Sequence, residues 1–190
     1  MTVFEHDIRK ANRCLGGGGV ILYPTDTIWG LGCDALNEAA VDKIFAIKQR
    51  PKEKSLIILL AEARDVLQYV AAPHPDIIDI VNSFDRPTTV VYEGAVGFPD
   101  NVVHDDGSIG IRVTTDPFCK ALIKRLGRPI VSTSANISGE PSPATYGQVS
   151  AVIRDAVDYI VEYHQDDNHP AMASRIVKIR DDGSLDIIRG

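Results

Sequence analysis

The stretch PIVSTSANISG, residues 129–139, contains the two kinds of segment that recur along this chain. Its apolar beginning, Pro129 to Ser132, predicts a buried strand, and the polar residues that follow predict a loop from Thr133 to Thr145. Helical patterns alternate with short apolar runs of this kind, which is typical of an α/β domain. The other predicted strands lie at 20–23, 55–60, 88–92 and 109–113.

The helices are predicted from apolar residues that recur at three- and four-residue spacing. Asn37 is a candidate N-cap for one helix, and Gly127 is a candidate C-cap for another. Two apolar runs near the end, 176–179 and 185–188, are joined by Asp181-Asp182-Gly183 and predict a hairpin, so we expect a mixed sheet in a single domain spanning residues 1–190. The predicted helices lie at 8–15, 41–48, 66–70, 77–81, 118–126 and 148–155.

Charge and cysteine content narrow the class of protein. The chain carries 26 Asp and Glu against 20 Lys and Arg, a net charge of −6. This disfavours tight non-specific binding of nucleic acid, which needs many basic contacts to phosphates, but it is compatible with a local basic cleft. The three cysteines form no C-x-x-C pair, and the N-terminus lacks the pattern of a signal peptide. We therefore expect a cytoplasmic protein that does not span a membrane.

A basic segment, Lys48-Gln49-Arg50-Pro51-Lys52-Glu53-Lys54, separates a predicted helix from a predicted strand. One interpretation is a solvated helix end, because Lys and Arg favour the negative end of the helix dipole. The other is an anion site, in which Arg supplies a planar fork of donors and Lys a point charge. Because Lys48 and Arg50 lie at a helix end, we expect truncation of either side chain to reduce stability little.

Two further segments are rich in polar residues. Ser132 to Gly139 holds more hydroxyl and amide groups than an Asx or Ser/Thr turn needs, so it favours hydrogen bonds to a phosphate, a carboxylate or a metal-bound ligand. Pro24 to Gly32 predicts either a turn anchored by Trp29, with glycines where backbones approach, or a small pocket. The sequence contains neither G-x-x-x-x-G-K-[ST] nor G-x-G-x-x-G, so neither standard nucleotide loop is predicted.

Histidines and cysteines do not predict a site of their own. The five histidines are scattered without a zinc spacing, so no metal-binding residues are expected. Cys14 and Cys119 fall on predicted helices and are interpreted as core residues. Cys33 follows the Trp29 segment and could border a pocket there, although packing is the favoured interpretation.

Taken in order, these segments resemble the YrdC/Sua5 family over nearly the whole chain. The family's Lys-x-Arg falls on Lys48 and Arg50, and its Ser-x-Asn falls on Ser134 and Asn136. The resemblance implies a twisted α/β sheet with flanking helices and a deep basic cleft, of the short, single-domain bacterial type. The matching blocks are 17–32, 48–51, 111–113, 129–139, 141–143 and 187–190.

The resemblance also implies a reaction. L-threonine, bicarbonate and ATP would give threonylcarbamoyladenylate and pyrophosphate, for the N6-threonylcarbamoyl modification of adenosine 37 in tRNA. A separate transferase complex performs the last step in the family, and weak binding of tRNA is a further possibility. Because a carbamate must approach a triphosphate, the site needs fixed cations and donors. Mg²⁺ is expected to bridge phosphate oxygens, with substrate and water as its other ligands.

Roles for individual residues follow from the same resemblance. Lys48, Arg50, Ser134 and Asn136 would be the catalytic group. Thr25 and Thr27 would face the threonine and Arg112 would pair with its carboxylate, in a pocket expected to include Trp29. The ATP side would be lined by Lys48, Arg50, Ser132, Ser134, Asn136, Ser142, Ser174 and Arg189.

The chain departs from the family pattern at several positions that bear on the threonine pocket. Phe84-Asp85-Arg86-Pro87 replaces Trp-Pro-Gly-Pro, Thr114 replaces a proline, Leu59 stands where many members carry His, and Ser174-Arg175 replaces Ser-Thr. Two alternatives stay open: a module that binds tRNA or double-stranded RNA, and a diverged paralogue without synthase activity. Few aromatic residues, 6%, count against the stacking platform of the first. The Ser-x-Asn pair, which a short paralogous group lacks, counts against the second.

Overall fold

The computed structural model describes residues 3–51, 56–169 and 171–190, and within them one sheet of nine strands forms the centre of the molecule. The strand order is β7-β1-β2-β6-β3-β5-β4-β8-β9. Three neighbouring pairs are parallel (β1 with β7, β3 with β5, β4 with β8) and the others are antiparallel, so the expected mixed sheet is confirmed. The strands are β1 Ile21–Tyr23, β2 Gly30–Gly32, β3 Ile57–Leu60, β4 Thr88–Tyr92, β5 Ile109–Val113, β6 Ile130–Ser134, β7 Tyr159–Ile160, β8 Arg175–Ile179 and β9 Leu185–Arg189.

Six α-helices flank the sheet in the described part of the chain, and their ends follow local capping rules. Asn37 caps α2, where its side chain accepts from the backbone N–H of Ala40 at 3.1 Å. Gly127 ends α5 in the left-handed conformation, with φ +71°. The helices are α1 Glu5–Gly16, α2 Glu38–Lys48, α3 Val66–Tyr69, α4 Ile77–Asn82, α5 Pro117–Leu126 and α6 Ala151–Ala156.

The two faces of the sheet are covered differently. On the first face, side chains such as Leu31, Ile58 and Val131 pack with α2, α3, α4 and α6 in the larger of two hydrophobic clusters. On the second face, α1 and α5 cover only part of the sheet, around residues such as Leu59 and Ile130. Because successive residues of a strand point to opposite faces, each strand contributes to both.

Strand β2 was not predicted from the sequence, because two of its three residues are glycine. The glycines are required by close packing. A Cβ on Gly30 would lie 3.2 Å from the carbonyl oxygen of Thr133, and one on Gly32 would lie 2.6 Å from a ring carbon of Tyr23. The interpretation that backbones approach each other at these glycines is therefore correct.

Other differences also arise from tertiary pairing. Thr133 and Ser134 belong to strand β6 and not to a loop, because β6 is hydrogen-bonded between β2 and β3. The short strand β7 was missed, since two residues give no pattern. The helix predicted at 148–155 begins at Ala151, after a 3₁₀ turn at Tyr146–Gln148. Ser55, the first residue of a predicted strand, lies outside the described residues.

In the described part of the chain, no helix is long and apolar enough to cross a membrane.

Candidate active site

The site forms where α1 and α5 leave the second face of the sheet uncovered. We call the part under these helices, with Tyr23, Leu59 and Ile130, the covered half, and the remainder the open half. A cavity of about 210 Å³ lies on the open half. It is lined by Thr27, Ile28, Gly30, Arg50, Ile57, Arg112, Ser132, Thr133, Ser134, Ser142, Ala173, Ser174, Ile176 and Arg189. Most of the residues assigned through the family resemblance are among them.

Arg112, on β5, is the most deeply buried cation of the cavity wall, with 2% of its surface exposed. Its Nη2 lies 3.2 Å from Oδ1 of Asp26, which is close enough for an ion pair. Neither Nε nor Nη2 makes a hydrogen bond to any described residue. A buried donor that lacks an acceptor is unfavourable, and a bound anion supplies one. This arrangement suits a planar carboxylate.

Asp26 is a residue of this site that sequence reasoning did not single out. It lies between the two threonines assigned to the substrate, and its side chain is only 8% exposed. One wall of a neighbouring cavity, of about 220 Å³, is also formed by Asp26. The ion pair with Arg112 therefore separates the two cavities. An acidic residue in a Pro-Thr-x-Thr turn gave no signal in the sequence, because its partner is far away in the chain.

The two threonines assigned to the substrate have different positions. Thr27 is buried and lines the cavity. The hydroxyl of Thr25 lies 2.9 Å from the hydroxyl of Thr27 and 2.9 Å from the carbonyl oxygen of Ile28, and it accepts from the N–H of Thr27 at 3.0 Å. Thr25 therefore holds the turn in shape, and Thr27 presents its hydroxyl.

Arg50 lines the cavity two residues beyond Lys48, the last residue of α2. Gln49 between them adopts the left-handed conformation with φ 50°, so the chain turns sharply as the helix ends. Arg50 is half-buried, and this burial lowers the pKa of its guanidinium from the ordinary value. An arginine remains charged even so, because its pKa starts above 12. The other residues of the basic segment, Lys52 to Lys54, lie outside the described residues.

Lys48 is buried beneath the cavity wall, with 1% of its surface exposed. Its ammonium donates to the backbone carbonyl of Ser134, to the carbonyl of Asn136 at 2.8 Å and to the side-chain Oδ1 of Asn136 at 3.1 Å. Burial, together with a smaller effect of the charge of Arg50, lowers the pKa of Lys48 to about 8. The expectation that its truncation reduces stability little is therefore wrong for Lys48, because the helix end is packed against β6.

A second group of contacts fixes the opposite wall of the cavity. The hydroxyls of Ser174 and Thr89 lie 2.8 Å apart in a buried hydrogen bond. Arg189 donates through Nη2 to the carbonyl of Ser174 at 2.7 Å and through Nε to the same oxygen at 3.3 Å. These bonds join the segment before β8 to strands β4 and β9. Ser174 and Arg189 are thereby held beside Ser142 at the cavity.

Trp29 does not line this cavity, so the expectation that it does is wrong. Its side chain is 4% exposed and packs in the hydrophobic cluster of the first face, with its ring 5.1 Å from that of Tyr146. Trp29 lies directly before β2, next to Gly30, which lines the cavity, and its indole points to the opposite side of the sheet.

The residues that differ from the family pattern lie outside the cavity lining, which includes Ser174 but not Arg175. Leu59 is fully buried in the covered half, and Ile57 is the residue of β3 that lines the cavity. Residues 84–87 and Thr114 line the neighbouring cavity instead. Cys33 and Cys119 are buried in the two cores, and burial raises the pKa of both thiols, which keeps them protonated and poorly nucleophilic.

Among the residues that the structure describes, no group of three or more His, Cys, Asp or Glu side chains is placed to hold a metal ion. The donors of the cavity are hydroxyls and guanidinium groups instead, which suit anions.

Sequence comparison finds a family model that covers most of the chain. The Sua5/YciO/YrdC model, with the description telomere recombination, matches residues 13–190. A threonylcarbamoyl-AMP synthase of Pseudoalteromonas translucida is 37% identical over 161 residues, which cover 83% of this chain and 86% of the relative. Another, from Vibrio cholerae serotype O1, is 31% identical over 192 residues, which cover 100% of this chain and 99% of the relative.

Solved structures with the same fold include a Sua5 of P. abyssi in complex with L-threonine. It superposes with a TM-score of 0.82 at 26% identity, over 94% of this chain and 52% of that one, so this chain spans about half of its length. E. coli YciO superposes with a TM-score of 0.78 over 97% of this chain and 88% of its own. At 23% identity, the likeness to YciO concerns the fold alone.

Proposed function

The chain belongs to the Sua5/YciO/YrdC family, and we propose that it is a threonylcarbamoyl-AMP synthase, the activity for which its curated relatives are named. It joins L-threonine, bicarbonate and ATP into threonylcarbamoyladenylate and releases pyrophosphate and water. The observation that carries this proposal is a buried guanidinium, Arg112, at a cavity whose walls hold two further arginines, Arg50 and Arg189. Three cations around one small cavity fit substrates that bring a carboxylate, a carbamate and a triphosphate.

The reaction needs two bond-forming steps. The threonine amine, after losing a proton, attacks the carbon of carbon dioxide or bicarbonate and gives a carbamate. One carbamate oxygen then attacks the α-phosphorus of ATP, and the bond to the β-phosphate oxygen breaks as pyrophosphate leaves. Both partners in the second step are anions, so fixed cations lower its barrier by neutralising charge and holding the two groups in line. No covalent bond to the protein forms.

Threonine binds at the Arg112 end of the cavity. The carboxylate accepts from the nitrogens of Arg112 that have no hydrogen bond to a described residue, and the ion pair with Asp26 keeps the guanidinium in place. The hydroxyl of Thr27 bonds the substrate hydroxyl, while Thr25 holds the turn. Ile57 and Ile176 offer small apolar surfaces to the substrate methyl group.

The nucleotide occupies the rest of the cavity. Arg50 and Arg189 meet the phosphates from opposite sides, and the hydroxyls of Ser132, Ser134 and Ser142 donate to phosphate or carbamate oxygens. Mg²⁺ enters as part of the Mg·ATP substrate, with phosphate oxygens and water as its ligands. The product then passes to a tRNA-threonylcarbamoyl transferase complex. ATP and tRNA are both cytoplasmic, so the proposal places the enzyme there.

Pyrophosphate release by the purified chain tests this function. We expect release only when ATP, L-threonine and bicarbonate are all present, and a mass spectrum of the mixture that contains threonylcarbamoyl-AMP. Folded protein that releases no pyrophosphate and forms no such product at saturating substrates would refute the proposal. Salt-dependent binding of RNA without turnover of ATP would favour the RNA-binding alternative instead.

A further inference from the structure

The donors of Lys48 are all in use inside the protein. An ammonium group has three protons. Lys48 Nζ has three acceptors within hydrogen-bond distance, the carbonyl oxygens of Ser134 and Asn136 and the side-chain oxygen of Asn136, with the hydroxyl of Ser134 as a fourth neighbour at 3.4 Å. With 1% of the residue exposed, no proton is left for a phosphate in the cavity.

Asn136 is tied into the same turn by both ends of its side-chain amide. Its side-chain oxygen accepts from Lys48, and its side-chain nitrogen donates to the carbonyl of Glu140. The backbone carbonyl of Lys48 accepts in turn from the N–H of Ser138 at 2.8 Å. The end of α2 and residues 134–140 are therefore tied together in both directions, and neither Lys48 nor Asn136 lines the cavity.

We propose that Lys48 and Asn136 are positioning residues, which act by fixing the turn at 134–136, whereas Arg50 and Ser134 contact the nucleotide. Each of the two motifs thus contributes one residue beneath the cavity wall and one residue on it. The inference rests on the proposed function and assigns different roles to the residues of its site. For Lys48 it follows from the count of donors and acceptors, because an ammonium whose three protons are all in use has none for a further ligand. For Asn136 it follows from its side-chain bonds to Lys48 and Glu140 and from its position away from the cavity lining.

The charge state of Lys48 should then affect kcat through the conformation of the turn at 134–136. Its pKa of about 8 lies within the range where enzymes are assayed. The groups that face it from β6 and the following turn are uncharged carbonyl, hydroxyl and amide groups, and the charge that lowers its pKa belongs to Arg50, at the end of its own helix. Loss of a proton leaves one acceptor without a donor and loosens the turn. We expect wild-type kcat to fall above about pH 8.

A double-mutant cycle separates positioning from direct contact. Lys48→Met removes the charge at similar length, and Asn136→Ala removes the amide. If both act through one turn, each variant lowers kcat by about 10- to 100-fold, and the double variant is no slower than the slower single one. Lys48→Met combined with Arg50→Ala should instead lower kcat by roughly the product of the two factors, because Arg50 acts on the nucleotide separately. Full multiplication between Lys48→Met and Asn136→Ala would overturn the proposal.

A second measurement uses the unmodified protein, in case Lys48→Met fails to fold. In ¹⁵N-lysine NMR spectra, the buried ammonium of Lys48 is expected to keep its chemical shift when a non-hydrolysable ATP analogue is added. A large shift, or a coupling to ³¹P, would show direct contact and overturn the inference. Binding of the analogue does not require turnover, so this result is independent of whether threonine-dependent pyrophosphate release is found.

Discussion

The covered and open halves of the second sheet face are built from the same strands but carry different side chains. On β3, Leu59 is fully buried under α1 and α5, whereas Ile57, two residues earlier on the same face, lines the cavity. On β6, Ile130 is packed in the covered half and Ser132 faces the cavity. The sheet thus changes from a hydrophobic core to a binding surface within two residues.

This difference separates the residues that stabilise the fold from those that are available to contact a ligand. Buried apolar contacts in the covered half stabilise the domain, since each buried side chain of this size contributes about 1.5–3 kcal/mol. In the open half, Arg112 is buried with nitrogens that lack hydrogen bonds to described residues, which is unfavourable for folding. This unmet hydrogen-bonding capacity supports the proposal that an anion binds in the open half.

The largest effect is expected when the amino-acid substrate that binds in the open half is changed. Threonine should be preferred over serine modestly, and over valine by up to about 10⁴-fold in kcat/KM, because a site built for a hydroxyl is left with an unpaired polar group when valine binds. Thr27→Val should remove most of this preference, whereas Ala11→Gly under α1 should leave it unchanged. Equal kcat/KM for threonine and valine in the wild type would contradict this account of the pocket.

Arg50→Ala should reduce turnover by about 10²–10³-fold, the usual effect of removing one donor from a preorganised site. The fold should persist, because Arg50 lies on the cavity wall and not in either hydrophobic cluster. Arg9→Ala, which removes an exposed arginine from α1, serves as the matched control and should retain wild-type kinetics. If Arg50→Ala kept near wild-type turnover, the basic segment would be a solvated helix end.

A matched pair on β3 tests the two halves directly. Leu59→Ala should lower the free energy of unfolding by about 2–5 kcal/mol, because it leaves a void beneath α1 and α5. Ile57→Ala should lower it less, since its side chain is partly exposed, and should raise the KM for threonine. Denaturant unfolding and steady-state kinetics on both variants measure this. The reverse ranking of stabilities would show that the division into halves is wrong.

Much of the sheet could be predicted from the sequence, because β-branched runs and capping residues are local signals. Strands β4 and β5 follow apolar runs, and Asn37 and Gly127 cap helices as expected. Strand β2 could not be predicted, since its glycines are selected by contacts with Tyr23 and Thr133 that only the folded sheet creates.

The site was predictable to a different degree. The polar segments pointed to part of the cavity lining, and the family resemblance supplied Arg112, Ser142, Ser174 and Arg189. The burial of Lys48 and the turning of Trp29 to the other face depend on packing between distant elements, as does the pairing of Asp26 with Arg112. Such long-range contacts leave no periodic trace in one sequence.

The smallest effect concerns stability as a function of pH. The pKa of Lys48 is lowered to about 8 in the folded state, whereas its ordinary value is 10.5. Between these two pH values the unfolded chain therefore binds more protons than the folded chain does. The contribution of Lys48 to the unfolding free energy therefore rises with pH in this window, by roughly 1 kcal/mol from pH 7 to pH 9. The stability of wild type relative to Lys48→Met should increase accordingly, while the kcat of wild type falls. A stability difference that is constant from pH 7 to pH 9 would contradict the lowered pKa.

The central claim, that the open half of the sheet binds both substrates, is tested most directly by isoleucine methyl NMR. Ile57 and Ile176 line the cavity, whereas Ile21 and Ile130 lie in the covered half. On addition of L-threonine and a non-hydrolysable ATP analogue, the account predicts large shifts for the methyl groups of Ile57 and Ile176 and small ones for those of Ile21 and Ile130. Saturating binding that leaves Ile57 and Ile176 unshifted, or shifts Ile21 and Ile130 more, would contradict it.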